Sequence, residues 1–300
     1  VRIAGRRSTV TANAELAARF QAARPHLGAL AYRMLGSVDD AEDAVQEAWL
    51  RLTGGDVEGI ANLDAWLTTV VARICLNALR GRRSRPREEL VARVPDPIVD
   101  AVGELDPEHQ ALLADAVGLA LFVVLDTLAP AERLAFVLHD VFAVPFEQIA
   151  PIVERSPEAT RKLASRARRR IHDAAPDPDT DLAAQHAVVD AFFAAGRAGD
   201  FDRLVAVLDP EVSLRGDFGP GALRSVRGAS EVAGLARSYA APEREARRAV
   251  INGAAGAVIF VADRPTAVMG FVVRGGRIAA IDVLADPERI ARIDLSALAG

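Results

Sequence analysis

The sequence predicts a multidomain chain, with two all-α helical units followed by one α+β unit. Three observations carry that prediction. Apolar residues recur at helical spacing through residues 13–90 and again from about Pro107 to Ile171. Two proline-rich connectors, Val94-Pro95-Asp96-Pro97 and Pro176-Asp177-Pro178-Asp179, interrupt the pattern. Residues 247–284 then change to β-branched runs of period two. The expected boundaries are a helical unit at 13–90, a connector at 91–108, a second helical unit at 109–173, a connector at 174–182 and an α+β unit at 183–300. A chain of 300 residues can bury a core in each.

The elements follow in chain order. The first residues, Val1 to Ser8, read as a frayed tail with no apolar run of signal-peptide length. Leu27, Leu30, Ala31, Met34 and Leu35 form one helical stripe, and Ala41, Ala44, Val45, Ala48 and Leu52 form another. Asp39 and Asp40 open that second helix, where carboxylates favour the helix dipole. Residues 53–59 are glycine-rich and read as a loop, and a third helix is expected from Asp64 to Arg83. In the second unit, a short apolar helix (Phe146 to Val153) precedes a basic one that begins at Ser156, a good N-cap, and Pro157, suited to the first helical position. Two helices joined by so short a turn, the second one basic, describe a helix-turn-helix that could enter a DNA major groove. Pro151 within the first of them implies either a bend, with a loss of about 3 kcal/mol, or a short helix. The last unit is expected to contain helices at 183–197, 200–208 and 229–240, a strand at 212–214, and strands at 247–252, 256–262, 267–274 and 277–284. Gly275-Gly276 supplies the positive φ of a hairpin turn.

Composition excludes several classes. Apolar residues make up 51% and charged residues 26% of the chain, ordinary values for a soluble protein. No apolar run approaches membrane-spanning length, so a cytoplasmic protein with no membrane role is expected. The single cysteine, Cys75, excludes an internal disulfide and sits in a buried-helix pattern. The five histidines show no metal-ligand spacing, so neither a metal nor a cofactor is expected.

Charge is distributed unevenly. The chain carries a net −5, yet from Arg155 to His172 seven Arg or Lys face one Glu158, a local +6. Leu163, Ala167 and Ile171 share a docking face there, while Arg161, Lys162, Ser165 and Arg169 point outward. Such a concentration suits phosphate neutralisation. A second cluster, from Arg80 through Arg82, Arg83, Arg85 and Arg87 to Arg93, exceeds what a helix C-terminus requires. Conversely, Asp39 to Glu47 carries five carboxylates in nine positions, which suits either a partner-binding surface or a solvated face.

These residues also carry a resemblance. Ala31-Tyr32-Arg33-Met34-Leu35 through Leu52, together with Leu63-Asp64-Ala65-Trp66-Leu67 through Arg73, resembles region 2 of a sigma-70-family factor. Pro130-Ala131-Glu132-Arg133 through Ile171 resembles region 4. Both in this order resemble the extracytoplasmic-function sigma factors. The last unit resembles a SnoaL-like cone domain, which a subgroup of these factors carries. Val94-Pro95-Asp96-Pro97 resembles that subgroup's Pro-acidic-Pro linker, and Ala285-Asp286-Pro287-Glu288-Arg289-Ile290 resembles its Asn-Pro-Asp-Lys-Leu motif. Its Asp-Gly-Gly-Gly-Lys loop appears as Asp217-Phe218-Gly219-Pro220-Gly221, without the lysine.

The resemblance implies a set of roles. Asp43, Gln46, Glu47 and Leu50 would bind the β′ clamp helices of bacterial core RNA polymerase, whose β flap is a further implied contact. Trp66, Arg73, Asn77, Arg80, Arg82 and Arg83 would melt and read the promoter −10 element, although a lone helical tryptophan such as Trp66 suits a core position about twice as well. Arg161, Lys162, Ser165, Arg166 and Arg169 would face the −35 element. Pro95, Asp96, Pro97, Asp217, Asp286, Pro287, Glu288 and Arg289 would make regulatory contacts between domains. Asp217, Asn252 and Asp282 are polar residues that could face a cone cavity, open to an unidentified small-molecule ligand, but no acid–base pair emerges and no enzyme activity is expected. Two other readings are a stand-alone helix-turn-helix regulator, which leaves the acidic helix unexplained, and an enzyme with a DNA-binding appendage.

Overall fold

The computed structural model describes residues 2–54, 60, 62–82, 94–103, 118–174, 179–220, 222–239 and 241–298. Two helical units precede a helix-and-sheet unit, in the expected order. The first unit consists of α1 (Arg2–Leu35), α2 (Val38–Gly54) and α3 (Leu63–Arg82). The expected frayed tail is instead the start of α1, which no proline interrupts before Pro25. Gly36, at φ 67°, ends α1 in the left-handed conformation that a glycine tolerates, and Ser37 Oγ accepts from the Asp40 amide to start α2. The buried face of α2 is Ala41, Ala44, Val45, Ala48 and Leu52, the stripe read from spacing. Cys75 is buried in α3, where burial pushes its thiol up to about 12.

The second unit consists of α4 (Gly118–Thr127), α5 (Pro130–Phe136), a π turn (Val137–Val141), α6 (Phe146–Val153) and α7 (Pro157–Ala174). Pro151 belongs to a short helix: α6 ends two residues later, where Glu154 takes φ 58°. The two helical units share one buried core. It runs from Leu30, Met34, Leu67 and Val71 of the first to Phe122, Leu134, Ile149 and Ala167 of the second.

The third unit consists of α8 (Leu182–Ala198), α9 (Phe201–Val207), β2 (Leu208–Asp217), β3 (Leu223–Arg227), α10 (Ala229–Tyr239), β4 (Arg244–Ile251), β5 (Ala254–Val261), β6 (Arg264–Arg274), β7 (Arg277–Leu284) and α11 (Pro287–Ile290). Among the described residues the sheet has seven strands, the first of them β1 (Val99–Asp100), in the order β1-β4-β5-β6-β7-β2-β3, with only β2 and β7 parallel. Helices α8, α9 and α10 cover one face through Phe192, Leu204, Val232, Phe271 and Ile281. The apolar helix α4 packs against β6 and β7.

The connectors depart from the expected picture. Strand β1 (Val99–Asp100) comes from the 91–108 connector and pairs with β4 at the sheet edge, Val99 opposite Ile251. Val99 and Asp100 are therefore part of the third unit's sheet, while residues 91–93 and 104–108 lie outside the described residues. The 174–182 connector is pinned as well: Asp179 accepts from the amides of Gly275 and Gly276 at 2.9 and 3.0 Å, and these bonds hold its carboxyl below the usual range. Residues 175–178 lie outside the described residues. The strand expected at 212–214 is part of the longer β2, and β3 was not expected at all.

Candidate functional site

Three exposed surfaces and one buried junction are built from the residues singled out above. On α2, Asp43, Gln46, Glu47 and Leu50 are all exposed and follow helical spacing, so they share one face opposite the buried stripe. Leu50 is 61% exposed, an apolar residue set among acids. Glu47 pairs with Arg51 one turn on.

On α3, Arg73, Asn77 and Arg80 form an exposed row, and half-buried Trp66 continues it while resting against the helical core. Arg82 turns away from that row. Its Nη1 donates to the Leu35 carbonyl at 2.9 Å and its Nη2 pairs with Asp40. Arg83 lies outside the described residues, as do Arg85, Arg87, Arg93 and loop residues 55–59.

On α7, Thr160, Ala164 and Ala167 are buried and Arg161, Lys162, Ser165, Arg166 and Arg169 are exposed. Ser156 Oγ caps the helix by accepting from the Ala159 amide at 3.2 Å. The cations divide into two sets. Arg166 Nε and Arg170 Nη1 each donate to Glu132 of α5 at 2.9 Å, and Arg168 bonds Asp140. Burial pushes the Glu132 carboxyl up, but bonds from Arg166 and the Ala129 amide and the nearby Arg170 charge outweigh it, and the group titrates below the ordinary range. Arg161 lies 5.3 Å from the Phe146 ring, and no ion pair engages Lys162 or Arg169 among the described residues. Glu132 thus orients the helix while Arg161, Lys162, Ser165 and Arg169 remain available to a polyanion. Arg169→Ala is expected to weaken DNA binding similarly across sequences and reduce the salt slope of log K by about one. A fluorescence-anisotropy titration at several salt concentrations measures both; an unchanged slope would exclude Arg169 from phosphate contact.

The junction is where the units meet. Arg289 of α11, 11% exposed, reaches into the first connector: its Nε donates to Asp96 at 2.8 Å, its Nη2 to the Val94 carbonyl at 2.6 Å, and its Nη1 to Asp217 at 2.6 Å. Asp217 Oδ1 also accepts from the Gly219 amide at 3.2 Å. Asp286 caps α11 by accepting from the Glu288 and Arg289 amides, which positions the arginine. Pro287 opens that helix, and both Pro287 and Glu288 are exposed. Pro95 and Pro97 are buried on either side of Asp96, whose amide donates to the Gly36 carbonyl at 2.9 Å.

A second set of bonds lies beside it. The Tyr32 hydroxyl of α1 donates to the Asp96 carbonyl at 2.6 Å and accepts from Asn252 Nδ2 at 2.8 Å. Asn252 Oδ1 accepts from the Ile98 amide, and the Asn252 amide donates to the Ile98 carbonyl. Burial raises the Tyr32 phenol well above its ordinary value, so the hydroxyl stays a donor. Asn252 can serve here because it sits at φ 51° beside Gly253 in the β4–β5 hairpin turn. Tyr32 and the Asn252 contact went unrecognised in the sequence, although Asn-Gly between strands is a turn signal.

Asp217, Asn252 and Asp282 do not line the cavity enclosed by the third unit. Asp217 and Asn252 belong to the junction, and Asp282 receives a 2.9 Å bond from Arg215 while burial raises its carboxyl. Arg133 ties the helical units together. It is 2% exposed, its Nε and Nη2 donate to the Arg33 carbonyl at 3.0 and 2.8 Å, and its Nη1 pairs with Asp126.

Residues 19–85 match the family described as Sigma-70 region 2, and residues 119–171 match Sigma-70, region 4. The chain is similar to the "ECF RNA polymerase sigma factor SigJ" of Mycobacterium tuberculosis, 40% identical over 293 residues covering 90% of this chain and 91% of that protein. It is also similar to the "Probable ECF RNA polymerase sigma factor SigI" of the same species, 34% identical over 279 residues, with 92% of this chain and 94% of that one covered. Among solved structures, the crystal structure of SigJ superposes with a TM-score of 0.73 at 37% identity, covering 93% of this chain and 99% of that one.

Proposed function

Because the chain belongs to the extracytoplasmic-function sigma factors and carries a SnoaL-like α+β domain behind its two sigma regions, we propose that the structure is the closed, resting form of an RNA polymerase sigma factor and that the SnoaL-like domain controls its opening. The observation that carries this reading is the shared core. Regions 2 and 4 bury one another's apolar residues, and Arg289 and Asn252 hold the connector between them. A promoter's −10 and −35 elements are about 25 base pairs apart, on the order of 85 Å at ~3.4 Å per base pair. Two regions that share a core cannot occupy both, so they must separate before the promoter is read.

In the open form, Asp43, Gln46, Glu47 and Leu50 dock on the polymerase clamp, where acids steer the approach and Leu50 is the apolar anchor. Trp66, Arg73, Asn77 and Arg80 face the −10 element, which needs phosphate neutralisation and a stacking surface for an unpaired base. Arg161, Lys162, Ser165 and Arg169 face the −35 element, with Arg166 held back by Glu132. The protein acts in the cytoplasm, where polymerase and promoter are; no helix among the described residues is long and apolar enough to cross a membrane. The SnoaL-like domain regulates this opening; Asp217, Asn252 and Asp282 are engaged outside its cavity.

Run-off transcription with purified core polymerase, on the DNA upstream of this protein's own gene, tests the reading. A transcript that requires the protein is expected. Leu50→Arg should weaken core binding more than tenfold while shifting stability by no more than about 0.5 kcal/mol, because the residue is exposed. Normal core binding by Leu50→Arg would remove α2 from the polymerase interface.

A further inference from the structure

We propose that the cavity of the SnoaL-like domain binds an amphipathic anion, a carboxylate on a medium-length apolar body. The cavity, about 360 Å³, lies between the sheet and helices α8 and α10. Its interior is apolar, built from Phe193, Leu214, Phe218, Ile259, Met269 and Val283. Thr266, a polar residue of its lining, already donates its hydroxyl to the Ile259 carbonyl. Arg197 and Arg224 also line it, and both are exposed, so their charges lie on the solvent side. No Asp or Glu is among the described residues that line it. An apolar interior with cations and no carboxylate matches a ligand with an apolar body and an anionic head. At roughly 30 Å³ for each water-sized group, the volume takes about 12 non-hydrogen atoms. Decanoate fits that size.

The site reaches the junction through its own wall. The Phe218 ring lies over Gly216, where a Cβ would come within 2.5 Å of it. Phe218 directly follows Asp217, the carboxylate held by Arg289, and lining residue Ala285 donates its amide to the Asp217 carbonyl at 2.7 Å. An occupant that moves Phe218 therefore moves Asp217 and loosens the Arg289 contacts. This coupling rests on the closed-form reading above, whereas binding does not.

Isothermal titration calorimetry of the full chain with decanoate, and with decanol as the neutral counterpart, tests the proposal. Decanoate is expected to bind one site at least tenfold more tightly than decanol. The double substitution Arg197→Gln with Arg224→Gln should erase that preference, since both side chains are exposed and the fold should tolerate the change. Ala241→Trp, at the loop-side edge of the cavity, should abolish binding of both. No decanoate binding, or equal binding of decanoate and decanol, would overturn the site as proposed. The coupling is read separately, by hydrogen exchange at residues 94–100: faster exchange with decanoate bound supports it, and binding with unchanged exchange overturns it.

Discussion

Arg289→Ala is expected to release the connector from the SnoaL-like domain. The side chain joins Asp96, Asp217 and the Val94 carbonyl, and Asp217 is itself only 6% exposed on its side chain. Removing one member of a buried ion-paired group leaves the others desolvated and unpaired, which costs about 3–5 kcal/mol. Asp96 retains some access to water, so the lower end applies here, on the order of a hundredfold in the docking equilibrium. Amide exchange at Asp96, Ile98 and Asn252, each bonded across the junction, should quicken by about that factor while the α3 core stays protected. Arg289→Lys should recover only part of the protection, because an ammonium cannot reproduce the guanidinium fork that spans two carboxylates and a carbonyl. Unchanged exchange in both variants would mean that the sheet pairing of β1 holds the connector without Arg289.

Arg133→Ala is expected to separate stability from polymerase affinity. Its buried guanidinium is the polar tie between regions 2 and 4, and its loss strands the Arg33 carbonyl and the Asp126 carboxylate. The cost is about 3 kcal/mol, which at roughly 2 °C per kcal/mol lowers Tm by about 6 °C. In the closed-form account the same change raises the fraction of open protein. The apparent affinity for core polymerase then rises as stability falls. A fall in both quantities would mean that Arg133 stabilises region 4 internally and plays no part in holding the regions together.

Much of this architecture was legible because it is local. The faces of α2 and α7, the cap at Ser156 and the turn at Gly275-Gly276 each follow from residues within a few positions of one another. Strand β7 matches its expected span, 277–284. Strand β1 was missed because it is two residues long and follows two prolines, so neither periodicity nor propensity marks it. Strand β3 lies at a sheet edge with only Leu223 and Val226 partly buried, and an exposed edge has no alternation to read. The junction was illegible for a different reason. Tyr32 and Asn252 are 220 residues apart, and Arg289 meets Asp96 across 193. The motif resemblance flagged Asp96, Asp217, Asp286 and Arg289, but nothing local signals that a hairpin-turn asparagine bonds an α1 tyrosine. Glu132 shows the same limit: it engages Arg166 and Arg170 from more than thirty residues away, so spacing alone presented Arg166 as free.

The most direct test of the closed form is a distance between the two regions. Labels at Glu42→Cys on α2 and His172→Cys on α7 occupy exposed positions, and native Cys75, buried and with its thiol raised to about 12, should stay unlabelled. Energy transfer between the labels should be high in the free protein and should fall nearly to background in the transcribing complex with core polymerase and promoter, where the regions are on the order of 85 Å apart. High transfer retained in an active complex would contradict the account, because promoter recognition would then proceed with the shared core intact.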